Sequence, residues 1–128
     1  MSVKQMVNYW IRSAAEDLLT AENLFDSKRY LPCLFYCHLF VEKIIKAIIV
    51  KQTNQPAPFG HKLSRLAKLT SISFSTIQLD LLDNLTAFNI KIRYEDYKFE
   101  LYKKATTSYT KKYLEKAKEL YLWLKEQI

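Results

Sequence analysis

A single glycine in 128 residues is the feature that most narrows what this chain can fold into. Hairpin turns and bulges need backbone at positive φ, which glycine adopts without steric penalty, so β-rich chains carry several glycines. With Gly60 alone, the chain is expected to be built from helices joined by short links. The same scarcity excludes the phosphate loops of the Rossmann and Walker types, which need two or three glycines at fixed offsets. Hydrophobic residues make up 49% and charged residues 26%, enough apolar side chain for a real core and too much for a disordered chain. The length fits one domain over residues 1–128.

The apolar spacing agrees with helices. Val3, Val7, Trp10, Ala14, Leu18, Ala21 and Phe25 recur at steps of three and four, so residues 3–26 form one amphipathic helix. Ser2 followed three residues later by Gln5 is a capping box at its start. Residues 31–52 form a second helix, with Pro32 suited to its first position. Leu34, Phe35, His38, Val41, Ile45, Ile48 and Ile49 line one side and Ile44 widens it, so this helix is apolar around much of its girth and should be central. Glu42 and Lys46 stand four apart on it as an ion pair of favourable orientation. The link between the two helices is only Ser27–Tyr30, which makes an antiparallel hairpin.

Residues 53–60, TNQPAPFG, are a loop by their prolines, asparagine and glycine. A short helix over 61–69 has Leu63, Leu66 and Leu69 on its apolar side. A second capping box, Ser75 with Gln78, opens a helix over 76–90 with Leu81, Leu82, Leu85 and Phe88 inward. Residues 91–100, KIRYEDYKFE, are charged and aromatic at once and carry no helical stripe. The last helix spans 105–127, on Tyr109, Tyr113, Ala117, Leu120 and Leu124. The prediction is an all-α fold, an antiparallel up-down four-helix bundle with a short extra helix.

Lys and Arg number 20 against 13 Asp and Glu, a net charge of +7. Most of the excess lies in residues 98–118, where Lys98, Lys103, Lys104, Lys111, Lys112, Lys116 and Lys118 face only Glu100 and Glu115. Such a strip attracts polyanions, RNA and nucleotide phosphates among them, and it is equally what a solvated helix face looks like. Cys33 and Cys37 stand one helix turn apart, a geometry that does not favour a disulfide. With only His38 adjoining they are short of a metal ligand set, so they read as buried thiols. No metal site and no cofactor are expected. No apolar run approaches the ~20 residues of a membrane span. MSVKQMVNYW has no secretory leader pattern, so the expected location is cytoplasmic.

Four pieces in order, spread over residues 5–126, give the chain a family resemblance. The first helix carries Ala14, Asp17, Leu18, Ala21 and Leu24 in an A..DL..A..L pattern. The second carries Glu42, Lys43 and Lys46 in an EKa.Ka pattern. His61, Leu63 and Leu66 follow as H.L..L, and Arg93, Tyr94 and Asp96 as RY.D. In these the chain resembles the HEPN family of small prokaryotic helical bundles. That family contains metal-independent ribonucleases, often toxins of toxin–antitoxin pairs, whose site is an Arg followed after four to six residues by a His across a dimer. It also contains members without that motif, nucleotide- or substrate-binding companions of a minimal nucleotidyltransferase encoded nearby.

The nuclease motif is broken here. The only histidines are His38 and His61, and Lys98 stands where a His would follow Arg93. Lysine, with an ordinary pKa near 10.4, is a poor proton acceptor at neutral pH, whereas imidazole near 6.5 is a good one. The resemblance therefore points to a non-catalytic HEPN homodimer that binds nucleotide or RNA and partners a small nucleotidyltransferase. A ribonuclease with a degenerate motif and a purely structural adaptor are the alternatives. Arg93, Tyr94, Lys98, Lys103 and Lys104 are the candidate ligand-binding residues, with Asp96, His61 and Glu42 supporting them. Arg93 reads either as a phosphate clamp or as the partner of Asp96, Glu95, Glu16 or Asp17. His61 reads as a helix cap or a buried hydrogen-bonded ring, and His38 as a core or interface histidine. Tyr94 reads as a core or interface ring rather than a base-stacking platform. The dimer interface is expected near His38, Val41, Ile45, Arg93 and Tyr94.

Overall fold

The computed structural model describes residues 1–128. It contains six helices and no strand: α1 (Val3–Asp26), α2 (Tyr30–Thr53), α3 (Leu63–Lys68), α4 (Thr76–Lys91), α5 (Glu95–Lys104) and α6 (Thr107–Glu126). Both capping boxes form. The Ser2 hydroxyl accepts from the Gln5 N–H while the Gln5 side chain accepts from Ser2 N–H, and Ser75 and Gln78 repeat the exchange at α4. Each box satisfies two of the amide donors that a helix start leaves without partners.

The core is built around α2, which buries fourteen of its 24 residues. α1 packs along one side of it through Ala14 and Ala21, both fully buried, whose small side chains let the two backbones come close. α6 covers another side with Ala117, Leu120, Tyr121 and Leu124, and α3, α4 and α5 close the remainder. Phe40 of α2 meets Tyr121 edge to face at 5.7 Å, and Phe88 of α4 meets Tyr113 of α6 in the same way at 5.0 Å. Each such ring contributes roughly 1.5–3 kcal/mol by burial alone.

Five expectations need correction. Residues 95–104 are a helix, α5, although the segment shows no stripe; only Leu101 among them is buried, and one inward residue leaves no period to read. α2 begins at Tyr30, so Pro32 is its third residue; a proline is tolerated there because the first-turn N–H groups have no helical acceptor anyway. His38, Val41 and Ile45 are completely buried inside one chain and cannot form an interface. The apolar girth of α2 is covered by the other five helices of the same chain, so it does not call for a second copy. Finally, Tyr94 is 58% exposed at the start of α5, which removes it from the core.

The α1–α2 turn is closed by a Schellman motif. Lys28 N–H donates to the Phe25 carbonyl and Arg29 N–H to the Leu24 carbonyl. Lys28 itself sits in the left-handed region at φ 62°, a place usually taken by glycine or asparagine. Asn54 takes the equivalent conformation at the end of α2, at φ 57°.

Candidate functional site

Two groups of polar residues stand out from the packing. The first is inside the bundle, on α2. Glu42 is 4% exposed, and its two oxygens are divided between partners. Oε2 receives Lys46 Nζ at 3.2 Å, and Oε1 receives His61 Nδ1 at 2.9 Å from the loop before α3. Lys46, equally buried, lies over the Trp10 ring of α1 at 5.4 Å. The i,i+4 pair read from the sequence is thus an interior one, where losing either partner strands a charge.

His38, one turn earlier on α2, donates from Nε2 to the His61 carbonyl at 2.7 Å. That bond places the ring proton on Nε2 and leaves Nδ1 buried with no partner. Burial pulls the His38 pKa below its ordinary value, and the nearby charges of His61 and Arg93 act in the same direction. The His61 carbonyl and Glu42 oppose the shift without reversing it. His38 is therefore a core histidine. His61 is neither a cap nor a buried ring. Lys62 holds the N-cap position of α3 without a side-chain bond, the Thr86 hydroxyl accepts from Leu63 N–H, and the His61 side chain is 53% exposed. It is tied to α2 twice, through its ring and through its carbonyl, and Gly60 at φ 123° lets the loop reach that position.

Arg93, just past α4, makes no ion pair with Asp96, Glu95, Glu16 or Asp17. Its guanidinium donates to Asn89 Oδ1 at a long 3.4 Å, and Asp17 is taken by Lys43 at 2.7 Å. Asp96 lies in the first turn of α5, where a carboxylate is favoured by the helix dipole. The structure therefore divides the predicted ligand residues. Arg93, Tyr94 and Lys98 lie at the start of α5, on the side of the histidine cluster. Lys103 and Lys104 lie at its end, about 8 Å beyond Lys98 along the axis at 1.5 Å per residue.

At that far end is the second group. A cleft of about 610 Å³ opens between the α1–α2 turn and the α5–α6 junction. Lys28, Arg29, Tyr30, Tyr102, Lys103 and Thr106 line it. Lys28 and Arg29 enter no salt bridge, and Lys103 has an exposed contact of 3.7 Å to Glu100, a pairing of little strength, and lies 4.5 Å over the Phe99 ring. No side chain caps α2, whose first residues line the cleft, so its leading N–H groups are open there. The last carbonyls of α1, which would offer negative charge, are tied off by the Schellman bonds. Tyr30 is held by Thr107, oxygen to oxygen at 2.6 Å, while Tyr102 is 67% exposed with a free ring face. Cations plus aromatic faces in a concave site suit phosphate groups carrying planar bases.

Lys28 and Arg29 were missed as site residues because Lys103 is some 75 positions away along the chain. No local pattern records that meeting. Elsewhere, a groove of about 480 Å³ runs between α4 and α6 past Leu81, Tyr113 and Trp123. Cys33 and Cys37 are buried and unbonded, and the contact with Cys33 together with burial pushes the Cys37 thiol well above its ordinary pKa. No helix is long and apolar enough to cross a membrane.

The fold has a counterpart among solved structures. The crystal structure of TT1696 from Thermus thermophilus superposes with a TM-score of 0.82 at 15% identity, covering 95% of this chain and 98% of that one. No curated protein matches the sequence. The family model for the HEPN domain matches residues 7–127, a span that contains α2 to α6 whole, all but the first four residues of α1, and each of the four motif pieces. The chain belongs to the HEPN domain family.

Proposed function

We propose that this HEPN protein is a non-catalytic helical dimer that binds nucleotide or RNA and works with a small nucleotidyltransferase, in a module of the toxin–antitoxin kind. The observation that carries the binding reading is the cleft where Lys28, Arg29 and Lys103 converge beside Tyr30 and Tyr102. Arg93, Tyr94 and Lys98 at the other end of α5 extend the same basic, aromatic strip. A mononucleotide fills one end of it, and a short RNA strand spans both. The non-catalytic reading follows from the absence of a histidine at nuclease spacing after Arg93. Of the two histidines present, His38 is buried and bonded to the His61 carbonyl, and His61 is bonded through Nδ1 to Glu42. The dimer reading is supported by Ile90, Tyr94, Tyr97 and Phe99, apolar side chains at least half exposed along the α4–α5 corner. The nucleotidyltransferase partnership rests on the resemblance to HEPN members that lack the nuclease motif.

Fluorescence anisotropy with labelled single-stranded RNA and with a labelled nucleotide tests the binding. The Arg29→Ala, Lys103→Ala double variant should bind at least about tenfold more weakly, and native affinity should fall steeply with added salt. Equal binding by the double variant and the native protein would refute the cleft as the site. RNA cleavage by the pure protein that disappears in Arg93→Ala would refute the non-catalytic reading.

A further inference from the structure

The Glu42–His61 pair has a chemistry that ligand binding in the α5 cleft does not use. Glu42 is a buried carboxylate and can only accept, so the His61 proton facing it must sit on Nδ1. In the neutral ring the opposite nitrogen, Nε2, then carries the lone pair. The ring is 53% exposed, so that lone pair is open to solvent. The ring has little freedom to turn away, because its backbone is fastened by His38 Nε2 at 2.7 Å and its Nδ1 by Glu42 at 2.9 Å. Lys46 holds the other Glu42 oxygen at 3.2 Å and fixes the carboxylate in turn.

A histidine with its proton held by a carboxylate and its other nitrogen free is an activated nucleophile. Neither of the main clefts is lined by His61. A nucleophile without a cleft is suited to a reactive group carried to it by another molecule. We propose that His61 is a phosphoryl-acceptor site that takes phosphate on Nε2 from a donor of the phosphoramidate class. In the step, the Nε2 lone pair attacks phosphorus and a new N–P bond forms. The P–N bond of the donor breaks, and its electron pair leaves with the departing amine, already protonated in the donor. The ring keeps its Nδ1 proton and becomes a phosphoimidazolium, whose positive charge faces Glu42. Glu42 is the positioning residue: it selects the nitrogen and balances the charge.

The experiment incubates the purified native protein with potassium phosphoramidate at neutral pH. Intact mass, peptide mapping and ³¹P NMR then report the extent, the residue and the ring position of the phosphate. N-acetylhistidine amide under the same conditions is the reference. The expected result is one phosphoryl group on His61, as the Nε2 isomer, formed at least about tenfold faster than on the reference. His61→Asn should take up none. Glu42→Gln, checked for native helicity by circular dichroism, should lose the rate advantage and give both ring isomers. A rate equal to the reference, label on another residue, or the Nδ1 isomer on native protein would overturn the proposal. The rate on the native protein against the reference decides the matter even if Glu42→Gln does not fold.

Discussion

Replacing Glu42 with alanine leaves the Lys46 ammonium inside the bundle with 7% of its side chain exposed and no counter-ion. Removing one partner of a buried pair costs about 3–5 kcal/mol, most of it the penalty of the stranded charge. The His61 hydrogen bond is lost as well. Because that ring is half exposed, water replaces part of the bond, and its loss adds about 1 kcal/mol. The contact of Lys46 with the Trp10 ring at 5.4 Å is present before and after the substitution and cancels. The sum is a loss of about 4–6 kcal/mol, a large part of the ~5–15 kcal/mol that holds a domain of this size together. In urea that moves the midpoint down by about 2–3 M, for a slope near 2 kcal/mol per molar. The decisive variant is Glu42→Ala with Lys46→Met, which removes the stranded charge along with its partner. Apolar replacement of a whole buried pair is often close to neutral, so most of the loss should return. Urea unfolding followed by far-ultraviolet circular dichroism and by the fluorescence of Trp10 and Trp123 gives the three midpoints. A double variant as unstable as Glu42→Ala, or a single variant within about 1 kcal/mol of native, would refute the account of Lys46 as the stranded charge.

Three further outcomes are expected. His38 has a folded pKa below its ordinary 6.5, so the native state binds fewer protons than the unfolded chain. Its contribution is complete above about pH 6.5 and is lost as pH falls through the folded value, by up to ~1.4 kcal/mol per pH unit. Urea midpoints across that range should show the slope, and His38→Gln, which can still donate to the His61 carbonyl, should flatten it. Lys28→Gly relieves a left-handed non-glycine residue and should raise stability by up to about 1 kcal/mol in thermal or urea unfolding. The same variant should weaken RNA binding in anisotropy, since it removes a cation from the cleft. Ser75→Ala breaks the α4 capping box and should cost about 1 kcal/mol, measurable as a shift of the urea midpoint.

What could be read from the sequence was local. Ser2 with Gln5 and Ser75 with Gln78 act over three residues, and both boxes formed as their spacing said. The helices α1, α2, α4 and α6 announce themselves because each buries several residues in register. α5 does not, since Leu101 alone turns inward while Tyr97, Phe99 and Tyr102 stay more than half exposed. The girth of α2 was legible, but what covers it was not; composition cannot say whether the cover comes from the same chain or another. The Glu42–Lys46 pair was visible, whereas the arrival of His61 at the same carboxylate depends on a loop that only the tertiary fold places. The meeting of Lys103 with Lys28 and Arg29 was illegible for the same reason.

The slender attachment of α5 has a dynamic consequence. A ten-residue helix is too short to persist by itself in water, and this one is anchored by the burial of Leu101, worth about 1.5–3 kcal/mol. Its amide protons near Leu101 will therefore exchange with solvent through local opening, while those of α2, under fourteen buried side chains, wait for the whole bundle to unfold. Lys103 and Lys104 ride on that opening helix. A ligand that engages them in their helical arrangement closes the helix as it binds, and its affinity carries the free energy of closing. Tightening the Leu101 anchor would raise affinity without adding a single contact to the ligand.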